Sequence, residues 1–104
     1  MNKLIVVTGG TKGIGRAIIE KFCYSGFDVA TCSRSQRELE ALKVHLQKLN
    51  PATTAFIRQA DLSLKNQAKE FCEFVMKLSR PIDVLVNNAG YFLPGEIVTE
   101  PEDT

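Results

Sequence analysis

The sequence predicts an α/β fold: a parallel sheet with crossover helices, incomplete, of about four strands and three helices. Three observations predict it. Four short apolar runs recur along the chain, three segments of helical spacing lie between them, and the two kinds of segment alternate strictly. Connections long enough to hold a helix favour a right-handed parallel sheet over hairpins.

The first run, Leu4-Ile5-Val6-Val7, is continuous rather than alternating, as a strand covered on both faces requires. The helical segment after it carries Ile14, Ala17, Ile18 and Phe22 as its apolar stripe and ends at Gly26. A second strand is expected over Phe27 to Cys32. Ser35 with Glu38 three residues later resembles a capping box and opens a helix striped by Leu39, Leu42, Leu46 and Leu49, which Pro51 closes. Thr54 to Ile57 reads as the third strand, and Ala68, Phe71, Cys72, Val75 and Met76 as the stripe of the third helix. The fourth strand, Ile82 to Val86, is again continuous at Val84 to Val86 and, with the first, is expected at the centre of the sheet. Thr99-Glu100-Pro101-Glu102 reads as a further helix start, yet Thr104 follows within two residues, which points to a truncated chain whose fourth strand would lie on an exposed edge. The 104 residues therefore form one partial domain, 1–104.

Composition limits the functions open to it. With 44% hydrophobic and 24% charged residues the chain is that of an ordinary globular protein, and a formal charge of +1 argues for neither a nucleic-acid nor a membrane surface. No window approaches the roughly 20 apolar residues of a membrane span, and the N-terminal run is too short for a signal peptide, so a cytoplasmic location is expected. Cys23, Cys32 and Cys72 are odd in number and lack a Cys-x-x-Cys pair, which favours reduced core thiols. His45 has no ligand partner in sequence and reads as a solvated surface residue; no metal site is expected.

The chemistry concentrates after the first strand, in Thr8-Gly9-Gly10-Thr11-Lys12-Gly13-Ile14-Gly15. Strand, glycine loop and helix in this order form a dinucleotide-binding context: glycines let the backbone approach a pyrophosphate, and the helix N-terminus offers unpaired N–H donors to the anion. A P-loop is excluded, because no Gly-Lys-Ser/Thr follows to hold a γ-phosphate and magnesium.

Thr8-Gly9-x-x-x-Gly13-x-Gly15, together with Asn87-Asn88-Ala89-Gly90 after the fourth strand, resembles the paired motifs of the short-chain dehydrogenase/reductases, in their single-domain branch. The resemblance runs from Lys3 to Thr99 and implies a Rossmann-type sheet. It assigns Gly9, Thr11, Lys12, Gly13, Ile14 and Gly15 to the pyrophosphate loop and its approach to the ribose and nicotinamide. It sets Asp61 and Leu62 beside the adenine, although Asp61 equally suits a cap for a helix beginning near Ser63. Asn87, Ala89 and Gly90 would line the ribose side, while Asn88 is expected to tie the fourth strand to Thr8. A small-molecule carbonyl or alcohol substrate and a dimeric or tetrameric parent protein are further implications.

Cofactor choice rests on the end of the second strand, where an acidic side chain would accept the ribose hydroxyls of NAD. The sequence there is Ser33-Arg34, nineteen residues after Gly15, with no acid. A guanidinium pairs bidentately with a 2′-phosphate, the Ser33 hydroxyl can donate to the same group, and Lys12 adds charge from the loop; NADP(H) is the expected cofactor. The proton-transfer Tyr-x-x-x-Lys that the resemblance implies, with its Ser and Asn, is expected beyond this chain. Tyr24 is followed four residues on by Asp28 and Tyr91 by Gly95, so no catalytic residue is assigned here. Three readings stay open: the cofactor-binding part of an NADP(H)-dependent reductase, inactive alone; a non-catalytic NADP(H)-binding sensor or interaction module; and a remnant with structural interactions only.

Overall fold

The computed structural model describes residues 1–88. Ala89, Gly90, Tyr91 and the helix start at Thr99 lie outside the described residues. The elements run β1 (Leu4–Thr8), α1 (Gly13–Tyr24), β2 (Asp28–Ser33), α2 (Gln36–Leu49), β3 (Ala55–Gln59), α3 (Lys65–Met76) and β4 (Val84–Val86). The four strands form one sheet in the order β3-β2-β1-β4, and every pairing is parallel.

All five residues of β1 are buried, because helices cover both faces of the sheet. On one face Leu4 and Val6 pack with Ala30, Cys32 and the α3 residues Phe71, Cys72 and Val75. On the other, Ile5 and Val7 pack with Val29, Ile19, Cys23, Leu42 and Leu46 of α1 and α2. This alternation along β1 is the period-2 rule of a strand applied to two cores at once.

Three sequence expectations change here. β1 is central, whereas β4 is the outer strand of the described sheet and leaves Leu85 44% exposed. The buried stripe of α1 is Gly15, Ile19 and Cys23; Ile18 and Phe22 only flank it, and Ile14 and Ala17 face solvent. This face brings Gly15 against the Gly9 carbonyl and the Asn88 side chain, where a Cβ would not fit. Met76 likewise leaves the α3 stripe and is exposed.

The ends of α1 explain the chain's next turn. Gly26 has φ +100°, and the bonds Gly26 N–H to Cys23 O (2.9 Å) and Phe27 N–H to Phe22 O (3.0 Å) make a Schellman closure. The Phe22 and Phe27 rings meet edge to face at 4.9 Å, the apolar contact that accompanies this closure and aims the chain into β2.

Candidate functional site

The strand order reverses between β1 and β4, and the carboxyl ends of all four strands rise to the same side of the sheet. Ligands of open parallel sheets bind at such a reversal, above those strand ends.

The loop after β1 is held by its neighbours. Gly9 and Gly13 have φ of +68° and +58°, which favour glycine. Gly10 and Gly15 are glycines for space: a Cβ on Gly10 would lie 2.2 Å from Ile19 Cδ1 and 2.5 Å from Thr31 Oγ1, and one on Gly15 2.6 Å from Asn88 Nδ2 and 2.7 Å from the Gly9 carbonyl. Gly10 N–H donates to Thr31 Oγ1 at 3.1 Å, and the Thr31 hydroxyl in turn donates to the Val7 carbonyl. A Cβ on Gly13, by contrast, would meet nothing within 4 Å. The loop is therefore packed on its inner side and open on its outer side. There α1 begins without a side-chain cap and without an acidic residue in its first turn, so its leading N–H groups and positive dipole end are available to an anion. Ile14 stands beside them, 74% exposed.

The end of β4 grips the same loop. Asn88 Nδ2 donates to the Gly9 carbonyl at 3.0 Å, and the Thr8 hydroxyl donates to Asn87 Oδ1 at 3.3 Å. Asn88 thus ties β4 to the loop as expected, but at Gly9; Asn87 is the residue that reaches Thr8.

Between the loop and the ends of β2 and β3 lies a cleft of about 280 Å³, lined by Gly9, Thr11, Lys12, Ser33, Arg34, Asp61 and Leu62 among others. It gathers residues from three separate segments, those at the carboxyl ends of β1, β2 and β3. Arg34 is exposed on its rim; its carbonyl accepts from Gln59 Nε2 at 2.9 Å, and its side chain makes no ion pair among the described residues. Ser33 Oγ accepts from Ser35 N–H at 3.2 Å.

Asp61 serves its own turn. Its Oδ1 accepts from Ser63 Oγ at 2.6 Å and Ser63 N–H at 3.0 Å, bonds that, with a smaller contribution from the Arg34 charge, hold its carboxyl below the usual range. The helix it was expected to cap begins only at Lys65, so Asp61 closes the preceding turn instead. Leu62 is buried in the α3 core.

Several cleft residues were not read from the sequence. Cys32 lies in the wall, its thiol pushed up to about 11 by burial. Glu38 also lines the cleft, with Oε1 accepting from Thr11 Oγ1 at 3.1 Å and Oε2 3.4 Å from Lys12 Nζ. Its spacing from Ser35 had marked it as a capping residue. Ser35 Oγ does accept from Glu38 N–H at 3.2 Å, but the returning half of the box is absent because the Ser35 N–H is satisfied by Ser33.

Away from the cleft, His45 is half-buried and bonds Glu20 Oε2 at 3.0 Å, joining α2 to α1 rather than standing free in solvent. All three cysteines are free and buried, as expected of core thiols. Among the described residues no cluster of His, Cys, Asp or Glu suits a metal ion, and no helix is long and apolar enough to cross a membrane.

Comparison with known proteins agrees with this geometry. The family model for short chain dehydrogenases matches residues 3–103. A short chain dehydrogenase of Pseudocercospora fijiensis is 37% identical over 101 residues, which are 97% of this chain and 32% of that protein. The solved structure of L-sorbose reductase from Gluconobacter frateurii, complexed with NADPH and L-sorbose, superposes with a TM-score of 0.78 at 28% identity, over 86% of this chain and 34% of that one. An alcohol dehydrogenase from the archaeon Thermococcus sibiricus, complexed with 5-hydroxy-NADP, gives 0.74 at 28% identity, over 82% and 36%. This chain spans about a third of the length of the relatives it matches. With a parallel sheet of this order, a glycine loop opening α1, and a family match over nearly its whole length, the chain belongs to the short chain dehydrogenase family.

Proposed function

We propose that this chain is the cofactor-binding part of an NADP(H)-dependent oxidoreductase that reduces a small carbonyl compound to an alcohol. The observation that carries the reading is the cleft at the end of β2, where Ser33 and Arg34 stand opposite Lys12 and the β2 end itself bears no carboxylate. Such a set fits a 2′-phosphate and offers the ribose hydroxyls of NAD no acceptor at that strand end.

The residues divide by chemistry. The N–H groups of Gly13, Ile14 and Gly15 receive the pyrophosphate, which the Gly9 and Gly13 backbone lets approach; Thr11 flanks it, and Lys12 turns its charge to the 2′-phosphate. Arg34 and Ser33 hold the 2′-phosphate, Asp61 and Leu62 border the adenine, and Asn87, Ala89 and Gly90 the ribose side. When bound, the nicotinamide supplies or accepts the hydride. Neither Tyr24 nor Tyr91 has a lysine four residues on to lower its pKa for proton transfer, so this chain by itself holds cofactor without turnover. The complexes of related reductases with NADPH and of a related dehydrogenase with an NADP derivative support the cofactor choice. The parent enzyme works in the cytoplasm as a homo-oligomer on a small-molecule substrate.

Arg34→Ala tests the reading. A charge-assisted hydrogen bond is worth about 1.5–3 kcal/mol, so NADPH affinity should fall roughly tenfold or more while NADH affinity changes little. Equal losses for both cofactors would contradict the assignment of Arg34 to the 2′-phosphate.

A further inference from the structure

Two acidic side chains line the cleft, and they behave differently. Asp61 is engaged with Ser63, whereas Glu38 reaches across to the glycine loop. Its release from the capping box frees both of its oxygens: one accepts from Thr11 at 3.1 Å and the other pairs with Lys12 at 3.4 Å. Thr11 Oγ1 also lies 3.3 Å from Ser33 Oγ. The Thr11 hydroxyl donates towards both Glu38 Oε1 and Ser33 Oγ, so its single proton is shared between them and links Ser33 to the carboxylate. Lys12 and Ser33, two of the groups assigned to the 2′-phosphate, are thereby gathered on one internal anion.

We propose that Glu38 is a specificity-determining residue, a stand-in anion that occupies Lys12 and, through Thr11, Ser33 until a 2′-phosphate takes its place. The inference rests on the reading of the cleft as an NADP(H) site. Glu38 weakens the phosphorylated cofactor in two ways: the Lys12 pair must be broken, and a carboxylate then remains beside the incoming dianion. Neither cost applies to NADH, which carries no charge at that position. The Lys12 and Glu38 side chains are 77% and 39% exposed, so the exchange takes place in water-screened surroundings and its effect is modest.

The test is a titration of the 104-residue chain with NADPH and NADH, for the wild type, Glu38→Gln, Lys12→Gln and the double variant. Glu38→Gln should tighten NADPH by about threefold to tenfold and leave NADH within about twofold, and the gain should shrink in the Lys12→Gln background, where only the repulsion between carboxylate and dianion is left to relieve. A purely structural Glu38 would weaken both cofactors alike; that result, or an unchanged NADPH-to-NADH ratio, overturns the proposal. Should Glu38→Gln fail to fold, the same ratio is read from Glu38→Ala. A wild type that prefers NADPH and loses the preference on Arg34→Ala, with no change of ratio in Glu38→Gln, sinks the role of Glu38 alone. A wild type that binds neither dinucleotide sinks both readings.

Discussion

Gly15 shows how much of the site depends on atoms that are missing. Its Cα sits where α1 passes under Asn88 and the Gly9 carbonyl, so Gly15→Ala must push back either β4 or the loop itself. Overpacking of this kind costs about 1–3 kcal/mol, and thermal melting of Gly15→Ala should show that loss together with weakened NADPH binding. Gly13→Ala meets no atom and is penalised only through its φ of +58°, by about 1–2 kcal/mol. Melting curves of the pair separate crowding from backbone strain. The cysteines make the opposite point. Cys32 lines the cleft but burial holds its thiol near 11, and Cys23 and Cys72 are buried as well. A thiolate is the reactive form, so a thiol reagent at neutral pH should modify the native protein only as fast as it unfolds. Rapid native modification of any of the three would contradict this burial.

At the end of the sheet opposite the cleft, one carboxylate gathers three segments of the chain. Asp28, at the start of β2, accepts from Asn2 Nδ2 (3.0 Å) and Thr54 N–H (2.8 Å) and pairs with Arg80 Nη1 at 2.9 Å. Arg80 also donates to the Asn2 carbonyl, so the segments before β1, before β3 and after α3 converge on one group. Burial pushes the Asp28 carboxyl up, but the bonds from Asn2, Thr54 and Arg80 outweigh it and the carboxyl titrates below its ordinary 3.8. A depressed pKa in the folded state contributes stability above the unfolded value and loses it as pH falls through the folded one. Replacing one partner of a buried pair costs about 3–5 kcal/mol, so Asp28→Asn should be destabilised by that order at about pH 6. Urea unfolding as a function of pH should show the gap to wild type closing below about pH 4. None of this clamp was legible in the sequence, because Asn2, Asp28, Thr54 and Arg80 are far apart in the chain and none carries a local pattern. The strands and helices were legible, since apolar period and turn residues act locally: the Leu39, Leu42 and Leu46 stripe is buried as read. The orientation of α1 was not, because its buried line runs through Gly15, which has no apolar side chain to mark it, and on through Ile19 and Cys23.

At the scale of the molecule, two cores on opposite faces of one parallel sheet make a rigid support whose strand ends define the cleft. Sequence motifs pointed to most of that cleft: Gly9, Thr11, Lys12, Ser33, Arg34, Asp61 and Leu62 all line it, because the glycine spacing and the strand end are local patterns. They missed Glu38, whose local signal belongs to a helix cap and whose partner Lys12 comes from another segment. The formal charge of +1 gives no general attraction for anions, so the proposed preference for the phosphorylated cofactor rests on local groups, for which Arg34, Ser33 and Lys12 are the candidates. Titration of the wild-type chain with NADPH and NADH, followed by nicotinamide fluorescence at fixed ionic strength, measures that preference most directly. The predicted result is saturable binding of both, with NADPH tighter by roughly tenfold. Equal affinities, or a preference for NADH, would contradict it.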